Sequence, residues 1–398
     1  MSSLLKWLPT ELETLSAEGL LRTRRVVVPL QNGRCVVDGH EAWDFASNDY
    51  LNLANDDRLK DAVRRAVELH GVGAKASPLV SGRTDLHAEL EHAIANFEGA
   101  HAAILFPTGM AANIGVVAAL ASAGDTVFCD RLNHASLVDG CRMSGARLRV
   151  YRHHDLGSLE SALARESARR IFIVTDSVFS MDGDHAPLVD LCRIGERYGA
   201  DLIVDEAHGT GVFGEQGRGV CELQGVEDRI AVRIGTLSKA IGALGGFVSG
   251  SQNLIDYLWN RARTQVYSTS LPAAICAAAL QAIAIIRQEP SRRARLLDLS
   301  SSFREQLKRN GVNVLAESIG PIVPVILHEP QAATSVAEKL LRCGYLVGAI
   351  RPPTVPRGTS RLRITLNSAM SGEVVMDFVR HLSEIVRPFT HDASRFGQ

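Results

Sequence analysis

Short apolar runs rich in β-branched residues alternate along this chain with longer stretches of helical periodicity. The runs predict seven strands, at Ala102–Phe106, Thr126–Cys129, Leu148–Tyr151, Ile171–Thr175, Leu202–Asp205, Ile230–Ile234 and Gly246–Ser249. Crossover helices are predicted between several of them, at Ala111–Ala121, Leu159–Ala168 and Leu188–Tyr198. The alternation predicts an α/β fold whose sheet is mainly parallel and has helices on both faces.

The two ends of the chain have other patterns. An Arg-rich, helix-like segment opens the sequence and precedes a hairpin predicted at Arg34–Phe45. An apolar helix is predicted at Ala273–Ile286, and a β-α-β-β-α pattern runs from Ile322 to Val386. We therefore expect an N-terminal segment at 1–50, a large domain at 51–287 and a smaller C-terminal α+β domain at 288–398.

Charge and composition exclude several classes of protein. The 398 residues include 43 basic and 44 acidic side chains, so the formal net charge is −1. Because no block of the chain is strongly basic, a nucleic-acid partner is not expected. The apolar runs are too short to span a bilayer, so no membrane partner is expected either.

Cysteine usage and the N-terminus point to a cytoplasmic protein. The seven cysteines are scattered and include no C-x-x-C pair, which favours buried free thiols and gives no sign of a metal site. Met1–Leu12 lacks the apolar core of a secretion signal.

The segment Leu202–Gly209 is the first candidate for chemistry, because its apolar strand ends in Asp205, Glu206 and His208. Ligands of open α/β sheets bind outside the carboxyl ends of the strands. A plain turn with a solvated acid is the alternative. The same residues also spell a helicase-type box, but that box requires a phosphate loop ending in Gly-Lys, and no Lys here follows a Gly.

Lys239 is the second candidate. The chain has only six lysines, and this one follows an apolar strand and stands between small residues that permit close backbone approach. A lysine in such a setting can lose its proton and attack an aldehyde. The alternative is an ordinary lysine that reaches solvent from the end of a strand.

The third candidate is Phe106–Asn113, where a strand turns through Gly109 into a helix. Helix N-termini bind phosphate, although a Thr-Gly pair before a helix is also ordinary capping. Pyridoxal 5′-phosphate (PLP) uses all three features, because it needs a lysine, a carboxylate for its ring nitrogen and a phosphate site. The order of the three along the chain is that of fold-type-I PLP enzymes.

Further motifs connect the chain to a known family. They are Asn133–Ser136, Phe179–Asp184, Asp205–Gly211, Thr236–Lys239 and Tyr267–Ser270. With them the chain resembles the α-oxoamine synthases from Asn48 to Arg363, and Ala349–Thr359 resembles the branch of that family that serves biotin biosynthesis. The resemblance implies an aspartate aminotransferase-like fold, with a seven-stranded sheet and a smaller C-terminal domain.

The resemblance implies roles around the cofactor. Lys239 would hold PLP and move the substrate's α-proton, Asp205 would pair with the pyridine nitrogen, and His134 would stack on the ring. A position beside a helix cap is the alternative for His134. The remaining implied contacts are Ser180 and His208 near the phenolic oxygen, Gly109, Met110 and Thr236 at the phosphate, and Thr269 at the cofactor of the neighbouring subunit.

The substrate contacts are likewise implied by the resemblance. Arg363 would bind the carboxylate of the amino acid, Arg22 and Thr354 would meet the acyl chain, and Asn48 is counted among the substrate-binding residues. Because Arg22 shares a short stretch with Arg24 and Arg25, a solvated basic face is the alternative for it.

The implied reaction is a decarboxylative condensation of L-alanine with a pimeloyl thioester, carried by coenzyme A or a carrier protein, to give 8-amino-7-oxononanoate. A homodimer with composite active sites is implied as well. The alternatives are a relative with another amino acid or acyl thioester, such as a glycine C-acetyltransferase or an aminoketone-signal synthase, and a non-catalytic scaffold. Two departures from the family pattern are Lys75 and the stretch Asn367–Met370.

Overall fold

The computed structural model describes residues 5–390, with side chains up to Phe389. It divides into two compact units. The central unit comprises Asn48–Ser180 and Asp184–Arg295, and the terminal unit comprises the residues up to Ser47, Met181–Gly183 and those from Leu296 onward. The N-terminal segment therefore groups with the C-terminal part of the chain.

The strands of the described residues are β1 Val27–Pro29, β2 Arg34–Val37, β3 His40–Asp44, β4 Ala102–Phe106, β5 Thr126–Asp130, β6 Arg147–Tyr151, β7 Ile171–Asp176, β8 Ala200–Asp205, β9 Val232–Thr236, β10 Gly246–Gly250, β11 Ile322–His328, β12 Tyr345–Leu346, β13 Gly348–Ile350 and β14 Ser360–Thr365.

The α-helices are α1 Leu8–Ala17, α2 Asp57–His70, α3 Asp85–Glu98, α4 Gly109–Leu120, α5 Ala135–Met143, α6 Leu156–Leu163, α7 Leu188–Tyr198, α8 Val220–Leu223, α9 Gln252–Arg261, α10 Arg263–Val266, α11 Ala273–Gln288, α12 Ser291–Arg309, α13 Pro330–Arg342 and α14 Gly372–Thr390. A π-helical turn covers Pro78–Gly82, and a 3₁₀ turn covers Glu227–Arg229.

The central unit is built on a seven-stranded sheet with the order β4-β10-β9-β8-β7-β5-β6. The pairs β5–β6, β5–β7, β7–β8 and β8–β9 are parallel, and β10 is antiparallel to both of its neighbours. The predicted mainly parallel sheet of seven strands is confirmed. Strands β5, β7 and β8 are almost wholly buried, which explains why they are apolar runs without alternation.

Several predicted elements differ in extent from those in the structure, among them strand β9 and helix α6. Strand β9 begins at Val232, two residues later than predicted, and Ile230 and Ala231 connect it to the 3₁₀ turn that ends at Arg229. Helix α6 begins at Leu156, where Asp155 caps it by accepting a hydrogen bond from the Ser158 N–H, and ends at Leu163. The predicted continuation to Ala168 is wrong, because residues 164–168 contribute no further buried apolar side chain to a helical face.

The core of the central unit lies between the sheet and its helices. Val116 and Val117 of α4 pack with strand residues that include Phe106, Val127 and Ile203, all at most 1% exposed. Burial of each such side chain stabilises the fold by about 1.5–3 kcal/mol. Elsewhere in the unit, the small residues of α11 pack closely on α2.

The terminal unit contains two smaller sheets, with the orders β1-β2-β3-β12 and β11-β14-β13. The predicted hairpin is present as the antiparallel pair β2–β3. The structure has one strand more than the predicted β-α-β-β-α pattern. The additional strand is the two-residue β12, which pairs in parallel with β3. In residues 5–390 no helix combines the length and the apolar character needed to cross a membrane.

Candidate active site

The polar residues that end the central strands meet at one edge of the sheet. Strands β7, β8 and β9 are parallel neighbours, and their register places Asp176 beside Asp205 and Asp205 beside Ile234. Thr236 ends β9 two residues further on. Sequence-distant side chains are thereby gathered at the carboxyl edge, where ligands of α/β sheets bind.

Asp205 is held in a fixed orientation by two hydrogen bonds. Its side chain is buried, its Oδ1 accepts from the Ala207 N–H at 2.7 Å, and its Oδ2 accepts from Asn113 Nδ2 at 2.7 Å. Asn113 lies on α4 and also donates to Ser136 Oγ at 2.9 Å. The carboxylate therefore keeps lone pairs available for a further charged donor.

His134 is the N-cap residue of α5. Its Nδ1 lies 2.6 Å from Ser136 Oγ, and its backbone N–H donates to Asp176 Oδ2 at 2.6 Å. Burial lowers the pKa of His134, and the nearby charges of Asp205 and Lys239 act on it in opposite directions. The ring is accordingly neutral near pH 7, as an aromatic stacking partner should be. His134 is thus the cap itself rather than a neighbour of the cap, and its hydrogen bonds with Ser136 fix the ring.

Asp176 is a site residue that the sequence analysis missed. It is buried, and this burial, followed by the negative charge of Asp205, raises the pKa of its carboxyl group well above the usual range. The positive charge of Lys239 opposes the shift. Two neighbouring carboxyl groups of this kind resist carrying two negative charges at once. The position of Asp176 at a strand end is the signal that could have identified it.

Lys239 lies in the bend that follows β9 and is half-buried. Its charge acts on the pKa of both His134 and Asp176, so its ammonium group lies near those two side chains and the end of β8. The structure thus brings together Lys239, Asp205 and His134, the three residues singled out for the cofactor ring.

Helix α4 presents its N-terminus at the same edge of the sheet. Thr108 caps the helix by accepting from the Ala111 N–H at 3.0 Å, and Gly109 is the first helical residue. A Cβ on Gly109 would lie 3.2 Å from Thr236 Oγ1, so glycine keeps this approach open. The Thr236 hydroxyl donates to the Gly245 carbonyl at 2.8 Å, and Met110 is 52% exposed. The N–H groups of the first turn form a suitable anion site.

His208 is joined to two residues of the segment that opens the central unit. The Tyr50 hydroxyl lies 2.5 Å from His208 Nδ1 and 3.3 Å from Asn48 Oδ1. Tyr50 was not predicted as a site residue, because a buried tyrosine is common in a core. Ser180 is half-buried at the end of the first part of the central unit, and Thr269 is exposed.

The predicted substrate residues of the terminal unit form two groups. Arg22 donates a hydrogen bond to Thr354 Oγ1 at 3.5 Å, so the two residues predicted for the acyl chain are neighbours. Arg25 instead forms an ion pair with Glu338. Arg363 is 7% exposed in the middle of β14 and donates to Thr365 Oγ1 at 3.1 Å.

A cavity of about 390 Å³ lies beside Arg22. Arg22 and Arg351 both line it, and burial together with the charge of Arg22 lowers the pKa of Arg351. Arg25 and Glu338 also line it but pair with each other, so the guanidinium groups of Arg22 and Arg351 favour an anionic occupant.

The two departures from the family pattern have different local settings. The Asn367 side chain accepts from the Ala369 N–H at 3.0 Å and lies against Gly33, while Met370 is wholly buried. This stretch is therefore part of the packing of the terminal unit. Lys75 is exposed and has a φ of 65°. Nothing in the structure explains a lysine there.

Comparison with known proteins is in keeping with this geometry. The family model of the class I and II aminotransferases matches residues 41–382. An 8-amino-7-oxononanoate synthase of Methylococcus capsulatus is 48% identical over 376 residues, which cover 94% of this chain and 97% of the relative.

Solved structures are similar over most of the chain. One is a variant serine palmitoyltransferase from S. paucimobilis with a bound PLP–myriocin aldimine, which superposes with a TM-score of 0.92 at 29% sequence identity. The superposition covers 97% of this chain and 99% of the palmitoyltransferase chain. An 8-amino-7-oxononanoate synthase from Francisella tularensis superposes with a TM-score of 0.75 at 31% identity over 87% of this chain and 98% of its own.

Proposed function

Because this chain belongs to the class I and II aminotransferase family, and within it to the α-oxoamine synthases, we propose that it condenses L-alanine with a pimeloyl thioester. The reaction releases CO₂ and gives 8-amino-7-oxononanoate, a step of biotin biosynthesis. The observation that carries the proposal is the buried Asp205 carboxylate, held in place beside His134 and near Lys239.

The residues at this edge of the sheet fit PLP. Asp205 offers a buried anionic acceptor for a protonated ring nitrogen, His134 offers a neutral ring, and the N-terminus of α4 offers N–H groups for a phosphate. Lys239 supplies the amine that holds the cofactor. When bound, PLP withdraws electrons from the α-carbon of the amino acid.

The chain's own residues then have distinct tasks. Asp205 keeps the ring nitrogen protonated by its charge, and Asn113 keeps Asp205 oriented for that task. Lys239 removes the α-proton of alanine and later returns one. The Tyr50 hydroxyl fixes the His208 ring through Nδ1, and that ring would contact the cofactor near its phenolic oxygen. Arg363 binds the alanine carboxylate through its guanidinium fork.

The proposed substrates are supported by sequence identity to relatives rather than by similarity of fold. The serine palmitoyltransferase superposes well but shares 29% of its residues, whereas the Methylococcus synthase shares 48% over nearly the full length. A pimeloyl chain ends in a carboxylate that a plain fatty chain lacks. We assign the binding of that carboxylate to Arg22 and Thr354, which are hydrogen-bonded neighbours, and an unpaired guanidinium there would disfavour a fatty thioester.

A product assay with paired substrates tests this function. L-alanine, glycine and L-serine are each supplied with pimeloyl and octanoyl thioesters, and the products are measured by mass spectrometry. We expect L-alanine and the pimeloyl thioester to give the highest kcat/KM. Glycine should be used less well by about 10- to 200-fold, since one methyl group is worth about 1–3 kcal/mol in an apolar pocket. A preference for octanoyl thioester would instead favour an aminoketone-signal synthase.

The same assay on Arg22→Ala examines the acyl contact. We expect its KM for the pimeloyl thioester to rise at least tenfold, as for a lost charged hydrogen bond of about 1.5–3 kcal/mol, while its KM for alanine is unchanged. Arg24→Ala is the matched control, because Arg24 is exposed in the same short segment. Equal effects of both variants would indicate a general effect of charge and would contradict the contact.

We also propose a homodimer with composite active sites, in which Thr269 reaches the cofactor of the neighbouring subunit. Helix α11 does not support it, because its apolar side chains are buried against α2 within its own unit. The support is instead a set of strongly exposed apolar side chains, one of which, Tyr267, is two residues from Thr269. It comprises Leu69, Val72, Val80 and Tyr267, each more than 70% exposed.

Sedimentation velocity tests the dimer. The wild-type protein should sediment as a dimer, and Val80→Asp should shift it toward monomer with a parallel loss of activity, because the charge would be desolvated at the interface. Val189→Asp, at another exposed valine, should leave the dimer intact. A fully active wild-type monomer would contradict the composite site.

A cytoplasmic location is part of the proposal. All seven cysteines are free in the structure, and six of them are buried. Unpaired thiols are typical of proteins kept in a reducing compartment.

A further inference from the structure

A second cluster of ligating side chains lies in the central unit and uses none of the residues assigned to the cofactor. His153 and His154 follow β6, and Asp184 follows the segment after β7. His153 Nε2 lies 2.8 Å and His154 Nε2 lies 3.3 Å from Asp184 Oδ2. The three ligand atoms all lie within 4.8 Å of one another.

The cluster is small enough to surround a tetrahedral cation. Ligands about 2.0–2.1 Å from a zinc ion lie roughly 3.3 Å from each other; the His154 distance of 3.3 Å has that value, and the 2.8 Å hydrogen bond of His153 would lengthen by about 0.5 Å on binding. The two imidazole rings stack with centroids 3.8 Å apart, so both Nε2 atoms face the same carboxylate. Ligand type and spacing are both those of a two-histidine, one-carboxylate site.

His153 has the outer hydrogen bond that metal-binding histidines commonly make. Its Nδ1 lies 3.0 Å from Oδ1 of Asp130, which is 2% exposed. Asp130 is itself fixed, since its Oδ1 accepts from the Leu132 N–H at 2.9 Å. The carboxylate at Nδ1 fixes the ring and keeps a proton there, and a bound cation would displace the proton that Nε2 shares with Asp184 Oδ2.

An independent observation concerns the second oxygen of Asp184. This residue is 4% exposed, and its Oδ1 is buried without a hydrogen-bond partner. Burial of a carboxylate with one unpartnered oxygen is costly, and a cation bound at Oδ2 would offset the charge of the carboxylate as a whole. The side chains of His153 and His154 are 23% and 34% exposed, so an ion can enter from solvent.

We infer that His153, His154 and Asp184 bind one divalent transition-metal ion of the Zn²⁺ type, with Asp130 as the outer partner of His153 and a fourth position open to water. Two imidazole nitrogens and one carboxylate favour Zn²⁺ or Co²⁺ over Mg²⁺ and Ca²⁺. The ion would fasten the end of β6 to the segment that carries Phe179, whose N–H donates to the Asp184 carbonyl at 3.0 Å. The site goes beyond the proposed function and beyond the sequence-based expectation of no metal.

Calorimetric titration of the PLP-saturated enzyme with Zn²⁺ tests the inference. The variant is His154→Asn, because His154 has a φ of 56°, which asparagine adopts readily, and its side chain is one-third exposed. The matched control is His101→Asn, at an exposed histidine outside the cluster. All proteins carry Cys343→Ser, because Cys343 is the exposed thiol and would bind zinc by itself.

We expect one Zn²⁺ per chain in the wild-type and His101→Asn proteins and at least tenfold weaker binding in His154→Asn, since even the loss of an outer partner costs 10- to 100-fold. Zn²⁺ should also raise the Tm of the first two proteins more than that of the third. Equal titrations of all three proteins would overturn the site. Co²⁺ added to the wild-type protein should give visible absorption bands of a tetrahedral ion, and their absence would overturn it even if the variant failed to fold.

Discussion

Lys239→Ala is expected to give a folded protein that retains no covalently attached cofactor and has lost at least about 1000-fold in kcat. Lys239 is assigned both the attachment of PLP and the transfer of the α-proton, and general acid–base catalysis alone contributes about 10²–10⁴-fold. The residue lies in a bend after β9 rather than in the core, so its removal should not prevent folding.

The measurement is intact-protein mass after borohydride treatment, which fixes the cofactor only where an amine holds it. Wild-type protein should gain the mass of one reduced cofactor, and peptide mapping should place that mass on Lys239. Lys308→Ala, at an exposed lysine of α12, should behave as wild type. A cofactor still fixed in the Lys239→Ala protein would show that another amine holds it and would refute the assignment. The non-catalytic scaffold predicts no fixed cofactor in either protein.

The sheet was the most predictable part of the fold. Strands such as β5 and β7 are buried on both faces, so their sequences are continuous apolar runs bounded by turn residues. Two failures have physical causes. Strand β12 has only two residues and no pattern of its own, and helix α6 ends before Ala168 because the residues after Leu163 add no buried apolar side chain to its face.

A site residue could be predicted from the sequence where it comes directly after an apolar strand. Asp205 and Lys239 come just after apolar runs, and the carboxyl ends of such strands bind ligands. Asn113 and Tyr50 could not be found in this way. The hydrogen bonds of Asn113 to Asp205 and of Tyr50 to His208 join residues 92 and 158 positions apart, and only the folded arrangement of helix and sheet creates them.

The metal cluster was even harder to predict from the sequence. His153 and His154 are adjacent in sequence, but Asp184 is about thirty positions away on the other side of α6 and β7. Neither segment has the spacing of a known metal motif. Because parallel strands bring their carboxyl ends together, residues without any motif can still form a ligand set.

Asp205→Asn is the second large effect that we expect, with a kcat lower by about 10- to 1000-fold and with PLP still bound. An opposite charge at hydrogen-bond distance shifts a pKa by about 1–3 units, and a neutral amide loses that shift, so less of the cofactor's ring nitrogen stays protonated. The variant should fold, because the new side chain can still accept from the Ala207 N–H. Asn113 can rotate its amide toward it, since Asn113 Oδ1 has no hydrogen-bond partner in the described structure.

The pH dependence separates this role of Asp205 from a structural one. If the amide has lowered the pKa of the ring nitrogen, the protonated fraction rises as pH falls, so the ratio of variant to wild-type kcat should increase toward lower pH. Asp201→Asn, at an exposed position of the same strand, should keep the wild-type rate and profile. A constant ratio across pH would mean that Asp205 only positions its neighbours, and an undiminished kcat would remove it from the site altogether.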